Sequence, residues 1–330
     1  VRMLASGVCH SDLSVRDGGI PHPLPAILGH EGAGVVEAVG NGVTRVAPGD
    51  RVVLSWMPAC RRCHWCLAGQ PFLCDTGLID AFSVPPRMSG ETAILPGMTT
   101  AAFAEATIVL EDAVVPVPAD MPVEAAALIG CAVTTGVGAV VNTAEVRPGQ
   151  SVAVVGCGGV GLSTVMGAVL AGASPIVAVD LSAERRALAA DLGATHTVDP
   201  AATDPVAAVK ESTGGRGADH AFEVVGRPET IRTSWDMAAK GGTVTLVGAG
   251  RPDATVEFNA MELFMDAKRL LGCVYGSADA HRDFPRFVEL YRAGRLDLDR
   301  LVTARIGLDD LNAAYDAMAA GEGARSVITF

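Results

Sequence analysis

From residue 151 to residue 179 the chain carries no charged side chain, and apolar positions alone set the pattern. Val152 to Val155 form a short, largely β-branched run, as expected of a strand buried on both faces. Gly156-Cys157-Gly158-Gly159-Val160-Gly161 follows at once, residues 162–171 suit a helix, and residues 175–179 form a second apolar run closed by Asp180. An uncharged stretch of this length could cross a bilayer. Its glycines, its serines and Pro175 divide it instead into strand, turn, helix and strand.

The rest of the chain is arranged around this unit. Upstream, residues 1–5, 35–39, 51–54, 103–110 and 113–117 read as short strands, with turn material at residues 40–42 and 48–50. Short strands at that spacing predict a β-rich, barrel-like domain. Residues 75–97, including Pro85-Pro86, read as irregular. A helix opens at Glu124 and leads to Cys131, and an alanine- and valine-rich helix continues toward the uncharged unit. Downstream, strands at 221–225, 243–247 and 270–275 alternate with helical stretches, one of which closes at Gly193, the pattern of a parallel sheet. Amphipathic helices at 284–293 and 311–320 and a strand at 325–330 complete the chain. The predicted class is α/β: a doubly wound parallel sheet plus a second, β-rich domain.

The uncharged unit also carries chemistry. Its glycines fit G-x-G-x-x-G between a strand and a helix, with an acid about 20 residues further on, the arrangement of a dinucleotide fingerprint. Glycines let the backbone approach a pyrophosphate, and the helix N-terminus presents N–H groups to its charge. Asp180 can then accept hydrogen bonds from the adenosine ribose. A net charge of −12 argues against nucleic acid or an anionic membrane as partner. The chain opens at Val1 in mid-strand, so a preceding segment is expected. No signal-peptide layout is visible, and the expected location is the cytoplasm.

Eight cysteines change the picture further. Cys60, Cys63, Cys66 and Cys74 lie within fifteen residues, and four thiolates on one compact loop close a tetrahedral zinc site with no open position. In a reducing compartment this spacing favours metal over disulfides. His64, inside the loop, is a spare. Cys9, in Gly7-Val8-Cys9-His10-Ser11-Asp12, and His30, beside Glu31 among glycines, are also zinc-type donors. Cys131 supplies a third, and three protein ligands leave the fourth position of a catalytic zinc open.

GVCHSD, LGHEGAG, the four-cysteine loop, GCAVTTG, GCGGVG and the closing ARSVITF together resemble the zinc-dependent medium-chain alcohol dehydrogenases. The similarity is nearest to the class III branch (glutathione-dependent formaldehyde dehydrogenases) and actinobacterial relatives, and it runs along the whole chain. The resemblance implies a GroES-like catalytic domain of residues 1–132 and 275–330 and a Rossmann NAD-binding domain of residues 133–274. It implies NAD and two zinc ions per subunit, an alcohol or aldehyde as substrate, and a homodimer or tetramer. Ser11 matches the hydroxyl that takes the alcohol proton; Asp12 and Glu31 match carboxylates behind the catalytic metal. Thr135 falls where the family meets the nicotinamide, His10 and Arg325 where it meets the pyrophosphate, and Arg185 beside the adenosine ribose. Trp56, Leu78 and Met98 fall in or near the substrate cleft.

The chain also departs from that pattern. Ser14 stands where a relay histidine often ends the proton path, and Leu78 where the class III branch has an arginine for the glutathione carboxylate. With Ile79 and Phe82 nearby, the residues suit an apolar primary alcohol. The alternatives are a thiol-adduct formaldehyde dehydrogenase and a non-catalytic zinc- and nucleotide-binding protein. The latter has no use for Cys9, Ser11, His30 and Cys131 together.

Overall fold

The computed structural model describes residues 1–85 and 87–330, and the chain divides into two compact units. The first comprises Val1–Thr134, Ala278–Gly321 and Arg325–Phe330; the second comprises Thr135–Ser277 and Glu322–Ala324.

The second unit is built on the uncharged stretch. Val152–Val155 becomes a strand with all four residues buried, and Ile176–Val179 pairs with it in parallel. Their valines and alanines face neighbours on both sides, so nothing polar is needed. The helix Gly159–Leu170 joins them. The sheet then grows on both sides, in the order His196–Val198, Ile176–Val179, Val152–Val155, Ala218–Glu223, Ala238–Leu246, Arg269–Gly272. Every pairing is parallel and a helix lies in every connection. Numbered along the chain, the strand order is 3-2-1-4-5-6, that of the Rossmann fold, with its switch point at the fingerprint strand. Its core gathers the strand valines around Trp235 and Met237.

The first unit holds a six-stranded sheet ordered Val302–Ile306, Arg325–Thr329, Arg2–Gly7, Glu31–Val35, Arg51–Leu54, Val114–Pro116. All pairings are antiparallel except the one between Val302–Ile306 and the closing strand. The closing strand thus lies beside the first, which brings Arg325 into the neighbourhood of the segment after Gly7.

Three sequence expectations change. The strand expected at 35–39 is Glu31–Val35; its pattern is hidden because Gly32 and Gly34 carry no strand propensity. Residues 103–110 make one bridge, Arg2 to Ala106, because their backbone groups serve other segments: Phe103 N–H bonds to Leu28 O and Thr107 N–H to Val1 O. Residues 75–97 are not wholly irregular: they contain the helix Gly77–Ala81 and a hairpin of Arg87–Ser89 with Thr92–Pro96. Elements this short fall below the window in which periodicity can be read. Pro86, part of that stretch, lies outside the described residues.

The helical run Val123–Thr143 is long and apolar enough to cross a membrane, but its most apolar window is 89% buried within the protein, as a core helix is. Two π-helical turns, Ile129–Val133 and Ala139–Thr143, interrupt it, and Cys131 sits in the first. Such turns are frequent where a helix is re-aimed for function.

Candidate metal centres and dinucleotide loop

Cys9, His30, Glu31 and Cys131 bring one donor atom each to within 4.8 Å of one another, all four buried. Cys9 stands just before the helix His10–Arg16, and His30 just before the strand Glu31–Val35. Cys131 reaches the group because its neighbour is glycine: a Cβ at Gly130 would lie 2.7 Å from Leu54 O, so any larger residue would hold the π-turn off the sheet.

One carboxylate arranges this centre. Asp12 is fully buried and accepts the Cys9 N–H at 3.3 Å and the Gly29 N–H at 3.0 Å. Its Oδ1 also lies 3.0 Å from His30 Nδ1. The carboxylate can only accept, so Nδ1 carries the hydrogen and Nε2 the lone pair; this assignment follows from the network. His30 Nε2 is buried and has no hydrogen-bond partner. An orphaned imidazole lone pair beside two thiols is the donor set of a zinc site, and the residues fit that ion.

Burial pulls His30 down, yet Asp12 and Cys9 hold it well above the usual imidazole range, so a bound cation would take the place of a proton on Nε2. Cys9 is held well below the usual thiol range, chiefly by its hydrogen bond with Cys131, while the same contact and burial push Cys131 well above it. The two sulfurs share one hydrogen bond, which favours the thiolate at Cys9 and the thiol at Cys131. Glu31 is pushed up to about 7 by burial, against the pull of Arg325. Arg325 Nη2 lies 2.8 Å from Glu31 Oε1, although the two lack the alignment of a hydrogen bond. Arg325 Nη1 donates to Val8 O at 3.1 Å. Expected at a pyrophosphate, Arg325 is buried beside Glu31.

The second centre is the cysteine loop. The sulfurs of Cys60, Cys63, Cys66 and Cys74 converge within 4.8 Å, all free. Backbone N–H groups already point at them: Cys60 and Gly77 donate to Cys74 Sγ at 3.2 and 3.3 Å, and Cys63 to Cys60 Sγ at 3.3 Å. These contacts favour thiolates; Cys60 is lowered to about 6, first by the Arg62 backbone, whereas burial raises Cys66 to about 12. Arg61, at φ 59°, makes two hydrogen bonds to Asp279, at 2.8 and 2.9 Å. Pattern reading missed that anchor, since the partners are 218 positions apart. His64 is exposed and lies edge-on to Trp65, outside the cluster.

In the other unit, Gly158 caps the helix Gly159–Leu170, which puts Gly159, Val160 and Gly161 in its first turn, just after Gly156. Asp180 accepts the Cys157 N–H at 2.6 Å and the Ser182 N–H at 2.8 Å, so the acid is fixed beside the glycine turn. Arg185 is tied to Gly323 O at 2.8 Å. Thr135 is buried.

Around the first centre, Trp56 meets the His30 ring edge-on at 6.3 Å, and Thr99, next to Met98, donates to Trp56 O at 2.9 Å. Leu78 is 38% exposed on the helix that follows Cys74. Ser11 is half-buried; His10 is exposed, with Nδ1 3.4 Å from Ser14 Oγ. Arg87 donates to Thr107 Oγ1 at 2.6 Å.

This architecture and these donor sets define a class. Residues 1–119 match the alcohol dehydrogenase GroES-like domain, and residues 159–293 match the zinc-binding dehydrogenase family. Over all of this chain and 90% of the other, the sequence is 41% identical to geraniol dehydrogenase of Castellaniella defragrans. The crystal structure of benzyl alcohol dehydrogenase from Acinetobacter calcoaceticus superposes with a TM-score of 0.93 at 36% identity, covering 100% of this chain and 91% of that one. An alcohol dehydrogenase zinc-binding domain protein from Burkholderia ambifaria gives 0.92 at 38% identity, covering 100% and 90%. The chain belongs to the zinc-binding alcohol dehydrogenases, with their GroES-like and Rossmann folds.

Asp12→Asn tests the organisation of the first centre. The amide must turn its NH₂ toward at least one of the hydrogens that Asp12 now accepts. Metal affinity at this centre should fall by roughly 10–100-fold, measured by competition with a chelator. Unchanged affinity would mean that Asp12 does not orient His30.

Proposed function

We propose that the protein oxidises apolar primary alcohols to aldehydes, reversibly, with NAD as hydride acceptor and two zinc ions per subunit. The observation that carries this reading is the buried trio Cys9, His30 and Cys131, with the imidazole lone pair unpartnered. The fourth member of the group, the carboxylate Glu31, is drawn to Arg325, which supports three protein ligands and one position for substrate. Cys60, Cys63, Cys66 and Cys74 hold the other zinc as a closed, structural site. When bound, the catalytic zinc supplies Lewis-acid polarisation of the alcohol and the nicotinamide supplies the hydride acceptor.

This chain's residues do the rest. Asp12 orients His30, and Glu31 with Arg325 balances charge behind the thiolates. Ser11 takes the alcohol proton. Ser14 has no basic group, so the proton leaves through water or through His10, whose exposed imidazole lies within reach of Ser14. Trp56, Met98 and Leu78 provide an apolar wall. Gly156, Gly158, Gly159, Val160 and Gly161 receive the pyrophosphate, Thr135 meets the nicotinamide, and Asp180 and Arg185 meet the ribose. The free cysteines support a reducing, cytoplasmic setting. The exposed Met261, Phe264 and Met265 support a homo-oligomer, a dimer or tetramer.

Asp180 should impose a preference for NAD. A 2′-phosphate about 4 Å from this carboxylate meets a repulsion of up to roughly 4 kcal/mol at an effective dielectric of 20. Screening reduces this, and kcat/KM should favour NAD over NADP about a hundredfold, or ~2.8 kcal/mol. Equal efficiencies would remove the role given to Asp180.

The substrate class is tested by comparison. A glutathione adduct brings carboxylates that need a cation, and Leu78 offers none; Arg87 is engaged by Thr107. Geraniol and benzyl alcohol, after which the two relatives are named, are apolar primary alcohols. With NAD at neutral pH, their kcat/KM should exceed that of S-hydroxymethylglutathione by at least about tenfold, or ~1.4 kcal/mol. Faster turnover of the adduct than of every apolar alcohol would overturn the substrate proposal.

A further inference from the structure

Glu223 ends the strand Ala218–Glu223, in register with Val155 and Leu246 of the neighbouring strands, and it is fully buried. An ionised carboxylate there costs several kcal/mol unless hydrogen bonds replace its water. Burial pushes the Glu223 carboxyl up, and the hydrogen bonds it accepts pull the other way. Oε1 accepts Val225 N–H at 3.0 Å, Gly226 N–H at 2.8 Å and the Thr230 hydroxyl at 2.6 Å. Oε2 accepts Gly226 N–H at 3.1 Å. The Glu223 carbonyl accepts Val247 N–H at 2.8 Å and Gly248 N–H at 2.9 Å. A single residue therefore ties together the ends of two strands and the first turn of the helix Pro228–Met237.

The turn it ties lies against the glycine fingerprint. Glu223 is in register with Val155, the last residue of the fingerprint strand. Val224 N–H donates to Val155 O at 2.9 Å, and a Cβ at Gly156 would lie 2.6 Å from Val225 Cγ2. This is the carboxyl edge of the parallel sheet at its switch point, where open α/β sheets take their ligands. None of the residues read from the fingerprint supplies this support.

We infer that Glu223 is a positioning residue of the dinucleotide site: it holds the Val225–Gly226–Arg227 turn against the glycine loop in the shape the cofactor meets. The inference rests on the proposal that this unit binds NAD. The chemistry requires a carboxylate, because both oxygens accept. Glutamine in its place would turn an NH₂ group toward the Gly226 N–H, and the turn would move away from Gly156.

The test uses the full-length, zinc-loaded protein and three variants. The readouts are the NAD dissociation constant by fluorescence titration, the melting temperature without nucleotide, zinc content, and alcohol KM at saturating NAD. Glu223→Gln should weaken NAD about tenfold, ~1.4 kcal/mol, with zinc content and alcohol KM unchanged. Thr230→Val, which removes one donor, should weaken it about threefold, while Thr230→Ser, which keeps the hydroxyl, should match the parent. A structural role alone would lower the melting temperature and leave the dissociation constant untouched well below it. Parental NAD affinity in Glu223→Gln would overturn the inference. Should that variant not fold, equal affinities in Thr230→Val and Thr230→Ser would overturn it. Absence of NAD binding by the parent protein would instead remove the NAD proposal itself, and this inference with it.

Discussion

The structure of the first unit depends on the burial of Asp12. A fully buried carboxylate must find hydrogen bonds, and this one finds them on three separate pieces of backbone and ring: Cys9 N–H, Gly29 N–H and His30 Nδ1. Those contacts join the start of a helix to the start of a strand and aim the unprotonated side of the imidazole at Cys9 and Cys131. Glu31 has the same effect at larger scale, since Arg325 arrives from the closing strand and sets its guanidinium against this second buried carboxylate. A group of buried donors with one spare lone pair follows from these contacts, and such a group suits a divalent cation.

The second unit repeats the device with a different outcome. Two acids lie at the carboxyl ends of parallel strands: Asp180 accepts Cys157 N–H from the glycine loop and Ser182 N–H from its own turn, and Glu223 accepts Val225 and Gly226 N–H from the turn that follows it. Apolar strands set the frame, while the two carboxylates shape the loops at its edge. The two strands Val152–Val155 and Ile176–Val179 carry no polar side chain, and both acids lie at the carboxyl edge beside them.

Much of this was legible in the sequence. The glycine turn and the four-cysteine loop are local patterns: their residues lie within one short stretch, and spacing alone predicts which backbone or sulfur atoms converge. The parallel order of the second sheet follows from strands that alternate with helices. Convergence over distance was not legible. Cys131 could be named as a donor, but its approach depends on a π-turn and on the bare Cα of Gly130 against Leu54. Arg325 could be assigned only by resemblance, and its pairing with Glu31 arises because the last strand lies beside the first. Glu31–Val35 was misplaced because two glycines erase its alternation, and Glu223 looked like one more residue of a strand. For Cys131, Arg325 and Glu223 the missing information is tertiary; for Glu31–Val35 it is local, the loss of pattern at Gly32 and Gly34.

On the proposed function, one unit builds two metal centres of different character, one closed by four sulfurs and one left open by two sulfurs and an imidazole. Zinc K-edge absorption on the purified, fully loaded protein measures this directly. Four sulfurs at one centre and two at the other average to about three sulfurs per zinc at ~2.3 Å, with about one nitrogen or oxygen at ~2.0–2.1 Å. That average, at two zinc ions per chain, is the predicted result. Four sulfurs per zinc at one ion per chain would contradict it, because the buried trio of Cys9, His30 and Cys131 would then hold no metal.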